Sequence, residues 1–281
     1  MREGRSGREP GEETHMKSQT VLYHIFDPQG NVTALAETAV PEEAQASVGR
    51  QIMEAEPLVE QVGFLRFSGG DGEDPALRMA GGEFCGNAAL SAAAFCFMAA
   101  GKQSADLKLR VSGLEETLSA SLSRIDGKKC FGTLRMPRPD GIREETLILN
   151  GREERAVLVS FPGLSHAVLR REAPADRGKA EEEIRDNCAR LGLSGLGFLY
   201  LTGEQLTPLV YIRTSDTLFW ENACASGSAA VGYALLCEGG ALPVRLKQTG
   251  GCIEVSAGPG GSVCLSEEIC FIGSRRLAVK A

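Results

Sequence analysis

The sequence lacks the features that mark several large functional classes. It has no excess of basic residues: 30 Lys and Arg stand against 37 Asp and Glu, a formal charge of −7. Binding nucleic acid or an anionic membrane calls for a basic surface, so neither is expected as the main partner; a small anion in a local basic pocket stays compatible. It has no apolar run of the about 20 residues that cross a bilayer; the longest, 88–100, is too short. The polar first 17 residues lack the apolar stretch of a signal peptide. They read as a disordered extension, with Met16 as an alternative start. There is no Cys-x-x-Cys pair, and the cysteine count, nine, is odd. Neither a zinc ribbon nor a disulfide framework is suggested, so no metal site is expected and reduced thiols in a cytoplasmic protein fit best. No lysine sits in a recognisable pyridoxal phosphate motif, and no cofactor is expected.

What remains is an ordinary globular composition, 43% hydrophobic and 24% charged over 281 residues, enough for two domains. Residues 20–26 read as a strand, followed by the turn Asp27-Pro28-Gln29-Gly30-Asn31. Residues 41–53 read as a helix with proline in its first turn. Residues 61–67 read as a strand and 68–75 as a Gly- and Asp-rich turn. The helix after Cys85 is apolar on every side, which places it inside a domain. Residues 137–141 read as a linker. The pattern then repeats in outline: strands near 156–160 and 167–169, a charged helix at 179–191, strands at 198–201 and 209–212, and a small apolar helix at 228–236. The outline predicts two halves of similar plan, each a sheet wrapped on an apolar helix that begins at a cysteine.

Those two cysteines carry the chemistry. Gly82-Glu83-Phe84-Cys85-Gly86-Asn87 and Trp220-Glu221-Asn222-Ala223-Cys224-Ala225-Ser226-Gly227 each open a helix. A thiol at a helix start feels unpaired N–H groups and the positive end of the dipole, which favours the thiolate. The small residues that follow suit a carboxylate. Two such sites facing one another predict a carboxylate held between helix N-termini, with its α-carbon between two sulfurs. One sulfur removes the α-proton and the other delivers a proton to the opposite face. The other cysteines, 96, 130, 188, 237, 252, 264 and 270, read as small buried hydrophobes.

These motifs, with Gly30-Asn31 and Gln248-Thr249-Gly250-Gly251, resemble the cofactor-independent diaminopimelate epimerase superfamily over nearly the whole chain after residue 18. The resemblance implies an α+β fold of two similar domains related by a pseudo-twofold axis, each a curled, mostly antiparallel sheet around a central helix. It divides the chain into 18–137, joined by the strand 271–281, and 138–270. It implies Cys85 and Cys224 as the two bases, Asn31 as a substrate contact, and Gly86, Asn87, Ala225 and Ser226 as carboxylate-binding turns. Its substrate is a small amino acid; a homodimer is compatible with it.

Departures bear on the substrate. Gly163-Leu164-Ser165-His166 stands where diaminopimelate epimerases carry Gly-Asn-Pro-His, and the polar groups expected at 198–201 and 217–220 are apolar. Glu60-Gln61-Val62-Gly63-Phe64, the Cys85 motif, Pro208-Leu209-Val210-Tyr211-Ile212 and Trp220-Glu221-Asn222 are more similar to the histidine racemases of staphylopine-type metallophore synthesis. That subgroup implies Glu60 and Glu221 beside the cysteines, where a carboxylate holds an ammonium or an imidazole N–H. Trp220 and Phe219 are then candidates to pack a substrate ring, and His166 is expected to be structural. The rival readings are a racemase of another amino acid, diaminopimelate epimerase included, and a non-catalytic small-anion binder.

Overall fold

The computed structural model describes residues 18–67, 74–213 and 216–280. The expected extension at 1–17 and most of the turn at 68–75 lie outside the described residues. The first elements are β1 (Ser18–Pro28), β2 (Thr33–Ala36), α1 (Glu42–Ala55), β3 (Gln61–Arg66), β4 (Ala76–Met79), α2 (Gly86–Ala99), β5 (Ser104–Val111), β6 (Leu118–Arg124) and β7 (Lys129–Arg135). There follow β8 (Gly141–Leu149), β9 (Arg152–Phe161), β10 (Leu164–Leu169), α3 (Arg177–Arg190), β11 (Gly195–Thr202), β12 (Gln205–Ile212) and β13 (Thr217–Trp220). The chain ends with α4 (Ala225–Cys237), β14 (Val244–Gln248), β15 (Gly251–Ala257) and β16 (Val263–Lys280).

The strands form one sheet-dominated α+β body. Their order is β1-β2-β3-β4-β5-β6-β7-β16-β15-β14-β12-β11-β10-β9-β8, with β13 on β12. β1 also pairs with β16, so β1 to β7 and β16 close around α2. Most pairings are antiparallel. β2–β3 and β4–β5 are parallel, and so are β10–β11 and β12–β14. The long β16 contacts β15, β7 and β1 in turn. α1 packs outside β3 and α3 outside β11 and β8, while α2 and α4 lie inside and touch each other.

The inner position of α2 follows from its residues. Ala-rich sequence favours helix, and with no polar face it has no side to give to solvent. Residues 86–94 and Phe97 are buried. Leu90 and Phe97, both fully buried, join a core that also holds Val231, Ala234 and Leu199; each such side chain stabilises by roughly 1.5–3 kcal/mol. Gly101 stops the helix in the left-handed region at φ 67°. α3 begins at Arg177, two residues before the expected start, because the Asp176 carboxylate accepts from the Lys179 N–H at 3.1 Å. α4 begins at Ala225, three residues before the expected start, because Cys224 caps it. Residues 225–227, expected as a turn, are therefore its first helical turn.

Of the seven other cysteines, two are buried as expected and five depart from that expectation. Cys130 and Cys188 are buried, Cys96, Cys252, Cys264 and Cys270 are half-buried, and Cys237 is exposed. Cys237 ends α4 at the surface, and the half-buried strand cysteines face away from the inner helices. Among the described residues no helix is long and apolar enough to cross a membrane.

Candidate active site

Cys85 and Cys224 are the N-cap residues of α2 and α4. Both have extended backbone, φ −136° and −124°. Sulfur takes the place of the usual capping oxygen. Cys85 Sγ accepts from the Ala88 N–H at 3.5 Å, and Cys224 Sγ from the Gly227 N–H at 3.2 Å. The Asn87 amide donates to Ala223 O at 3.0 Å, tying the first turn of α2 to the residue before Cys224. Both cysteines line one cavity of about 200 Å³, together with Glu60, Gly86, Asn87, Glu221, Ala225 and Ser226. Val62, Leu164, Val210, Ile212 and Phe219 form its apolar wall, and among the described residues Arg50 is the one cationic residue on it. Ala46, Arg50, Gly81 and Phe219 are its exposed members and mark its mouth.

The electrostatics correct one expectation. The helix N–H groups do pull both thiols toward the anion, but burial outweighs them. Burial pushes the Cys85 thiol up to about 12, helped by the charges of Glu221 and Glu83. Burial and the adjacent Glu221 carboxyl push Cys224 well above its ordinary value. Both sulfurs are thiols here, because removing water costs the charged form more than two helix ends return. Glu221 hydrogen-bonds to Cys224, yet burial raises it to about 7, and the Glu60 charge adds to the rise. Its charge acts on both sulfurs. Burial also raises Glu60. Two amides oppose that rise: Asn222 donates to Glu60 Oε1 at 2.6 Å and Asn31 to Oε2 at 3.0 Å.

Asn31 therefore departs from its expected place. It is buried behind Glu60, with its amide committed to Glu60 and Gln61, and it holds that carboxylate instead of lining the cavity. Trp220 departs as well. Side chains alternate along β13, so Thr217 and Phe219 face the cavity and Trp220 faces α3. There it stacks on Tyr200 at 6.0 Å, donates to Glu181 at 2.8 Å and lies under Arg177.

Several site neighbours escaped the sequence reading. Gln61 Oε1 accepts from the Cys85 thiol at 3.0 Å. Gln248 Oε1 accepts from the Cys224 N–H at 2.8 Å, while its amide donates to Ser228 Oγ at 3.0 Å. His166 Nε2 lies 2.9 Å from Ser226 Oγ, which is 3.6 Å from Cys224 Sγ. Burial lowers His166 to about 3, so it is neutral; Gly197 leaves room for its ring, where any Cβ would overlap it. The Gly30 and Gly250 turns pack face to face: a Cβ on Gly30 (φ 92°) would sit 2.5 Å from Gly250 Cα. Gly250 N–H donates to Asn222 O at 2.8 Å, so this contact seats the residue that grips Glu60. Among the described residues no group of three or more His, Cys, Asp or Glu is placed to hold a metal ion.

Residues 20–264 match the family model described as the histidine racemase CntK N-terminal domain. A histidine racemase of Staphylococcus aureus is 26% identical over 223 residues, covering 77% of this chain and 80% of the relative. One of Fusobacterium nucleatum subsp. nucleatum is 27% identical over 227 residues, 78% and 82% of the two chains. In fold, the chain is similar to a probable proline racemase from Agrobacterium radiobacter K84, solved with bound carbonate: TM-score 0.70, 13% identity, 92% of this chain and 93% of that one. The chain belongs to the histidine racemase family and is an isomerase, an amino-acid racemase.

Proposed function

We propose that this racemase interconverts L- and D-histidine by proton transfer between Cys85 and Cys224, with no cofactor. The observation that carries the reading is the shared cavity: two capping thiols from two helices, with Glu221 acting on both. The substrate carboxylate binds the first-turn N–H groups of α2 and α4, at Gly86, Asn87, Ala225 and Ser226. This puts the α-carbon between the sulfurs. Glu221 takes the proton of Cys224; the thiolate removes the α-proton of one enantiomer while the Cys85 S–H protonates the opposite face. The helix N-termini stabilise the charge that develops on the carboxylate. The cycle leaves Cys85 as the thiolate, ready for the other enantiomer, and Glu221 resets it by giving its proton back. Glu60 takes the ammonium or an imidazole N–H.

Residues 18–137 with the final strand, and 138–270, act in this reading as two domains related by a pseudo-twofold axis through the cavity. The repeated parallel–antiparallel–parallel order of β2-β3-β4-β5 and β10-β11-β12-β14 supports it. The apolar wall of Leu164, Val210 and Phe219 favours histidine over diaminopimelate, whose charged tail would lose a few kcal/mol there. Arg50 at the mouth is the reason to keep diaminopimelate in the test.

The enzyme is incubated in heavy water with each of a panel of L-amino acids and LL-diaminopimelate. Histidine gains α-deuterium and yields the D-enantiomer, and Cys85→Ala or Cys224→Ala each slows this about a hundredfold or more. Exchange on another substrate and not on histidine would overturn the assignment.

A further inference from the structure

We propose that Glu83 selects the substrate side chain in the cysteine cavity, a role that rests on the histidine reading above: it accepts an imidazole N–H while Glu60 holds the ammonium. Three carboxyls line the cavity, Glu60, Glu83 and Glu221. Two of them have side-chain partners. Asn31 and Asn222 donate to Glu60, and Glu221 is hydrogen-bonded to Cys224. Among the described residues no side chain hydrogen-bonds or ion-pairs with the half-buried Glu83. Burial raises its carboxyl, opposed by its own backbone N–H, the charge of Arg78 and the Gly81 N–H. Arg78 is itself engaged with Gln45 at 2.8 Å and Glu42 at 3.6 Å and does not line the cavity. A carboxyl withdrawn from water with so few donors gains from one that a ligand brings.

The carboxyl lies where a substrate side chain arrives. A Cβ on Gly81 would sit 2.4 Å from Glu83 Oε2, so glycine at 81 leaves the room that the carboxyl takes at the mouth. The loop that carries it is fixed. The Ser112 hydroxyl donates to Glu83 O at 2.7 Å and accepts from the Met79 N–H at 3.0 Å. Gly113 packs so closely on Phe84 that a Cβ there would sit 2.7 Å from the Phe84 nitrogen. With the substrate carboxylate on the helix N-termini, the α-carbon between the sulfurs and the ammonium on Glu60, the side chain is left the mouth, which Phe219 and Glu83 line. An apolar ring beside one acceptor suits a flat ring that carries an N–H. A ring without an N–H leaves that acceptor unpaired, and a site built this way rejects it. Against the three carboxyls the described lining residues set one cation, Arg50, so the cavity favours a ligand that brings N–H donors over one that brings a second carboxylate.

KM and kcat for L-histidine are measured on the full chain by chiral chromatography, together with the inhibition constant of L-thienylalanine, whose five-membered ring has no N–H. Glu83→Leu raises KM for histidine about tenfold and leaves thienylalanine binding as tightly as before or more tightly. Its kcat does not fall, because removing the Glu83 charge makes Cys85 easier to ionise. Glu83→Gln, which keeps a carbonyl acceptor, raises KM about threefold, and it decides alone if Glu83→Leu does not fold. A residue that merely held the loop before Cys85 in place would instead lose kcat and weaken both ligands alike. That pattern, or an unchanged KM, overturns the role of Glu83 while turnover of histidine by the parent leaves the histidine reading standing. A parent that puts no α-deuterium into histidine overturns both.

Discussion

Gly86 and Ala225, the residues that follow the two capping cysteines, touch across the cavity: a Cβ on Gly86 would lie 2.8 Å from the Ala225 Cβ. That is closer than two carbons pack, so the helix N-termini approach as far as glycine at 86 allows. Gly86→Ala keeps the backbone relaxed and favours helix, yet it must push the two helix starts apart. Turnover depends on sulfur placement to a fraction of an ångström, so kcat/KM falls about tenfold or more while the protein stays folded. Ala225→Gly added to Gly86→Ala returns the missing space and recovers most of the loss. A double variant as slow as the single one would sink the geometric reading.

Glu221 sets the pH dependence. Buried beside Cys224, it is raised to about 7, so below neutrality it is protonated and cannot take the thiol proton. The kcat/KM for histidine should rise with pH through about 7. Glu221→Gln removes that rise and slows the enzyme about a hundredfold. A pH profile of Glu221→Gln that parallels the parent would assign the ionisation elsewhere.

Much of this was legible in the sequence, for physical reasons. The apolar girth of α2 and α4 and the small residues after Cys85 and Cys224 marked inner helices with open N-termini, and the structure puts both ends on one cavity. The thiolate was misjudged because a sequence reports the helix end but not the depth of burial. Gln61 and Gln248 were missed as site residues because each acts through a long side chain reaching from a strand to the cap of an inner helix. Polar residues on strands carry no signal of their partners.

Trp220 and Phe219 separate by a single residue of register. Trp220 packs on Tyr200 and Glu181 away from the cavity, whereas Phe219, 44% exposed, faces it. Trp220→Phe should cost about 1 kcal/mol of stability through its lost hydrogen bond and leave KM for histidine unchanged. Phe219→Ala should raise KM several-fold with little change in unfolding. Steady-state kinetics beside urea unfolding of both variants checks this, and a raised KM for Trp220→Phe would reverse the assignment of faces.

Glu267 is 2% exposed, and neither carboxyl oxygen has a hydrogen-bond partner among the described residues. Burial, with a contribution from Asp27, raises it from an ordinary 4.5 to about 8. The folded state therefore favours the protonated form over the range where the unfolded chain would ionise. That preference stabilises the fold in full below pH 4.5 and is lost as pH rises toward 8, because the unfolded chain then binds fewer protons than the folded one. Glu267→Gln stays neutral at every pH and escapes the loss. The Gln variant should match the parent near pH 5 and exceed it near pH 8, by on the order of 3 kcal/mol. Urea unfolding of both proteins across that range measures the difference. A difference that does not change with pH would mean the Glu267 carboxyl ionises at its ordinary value.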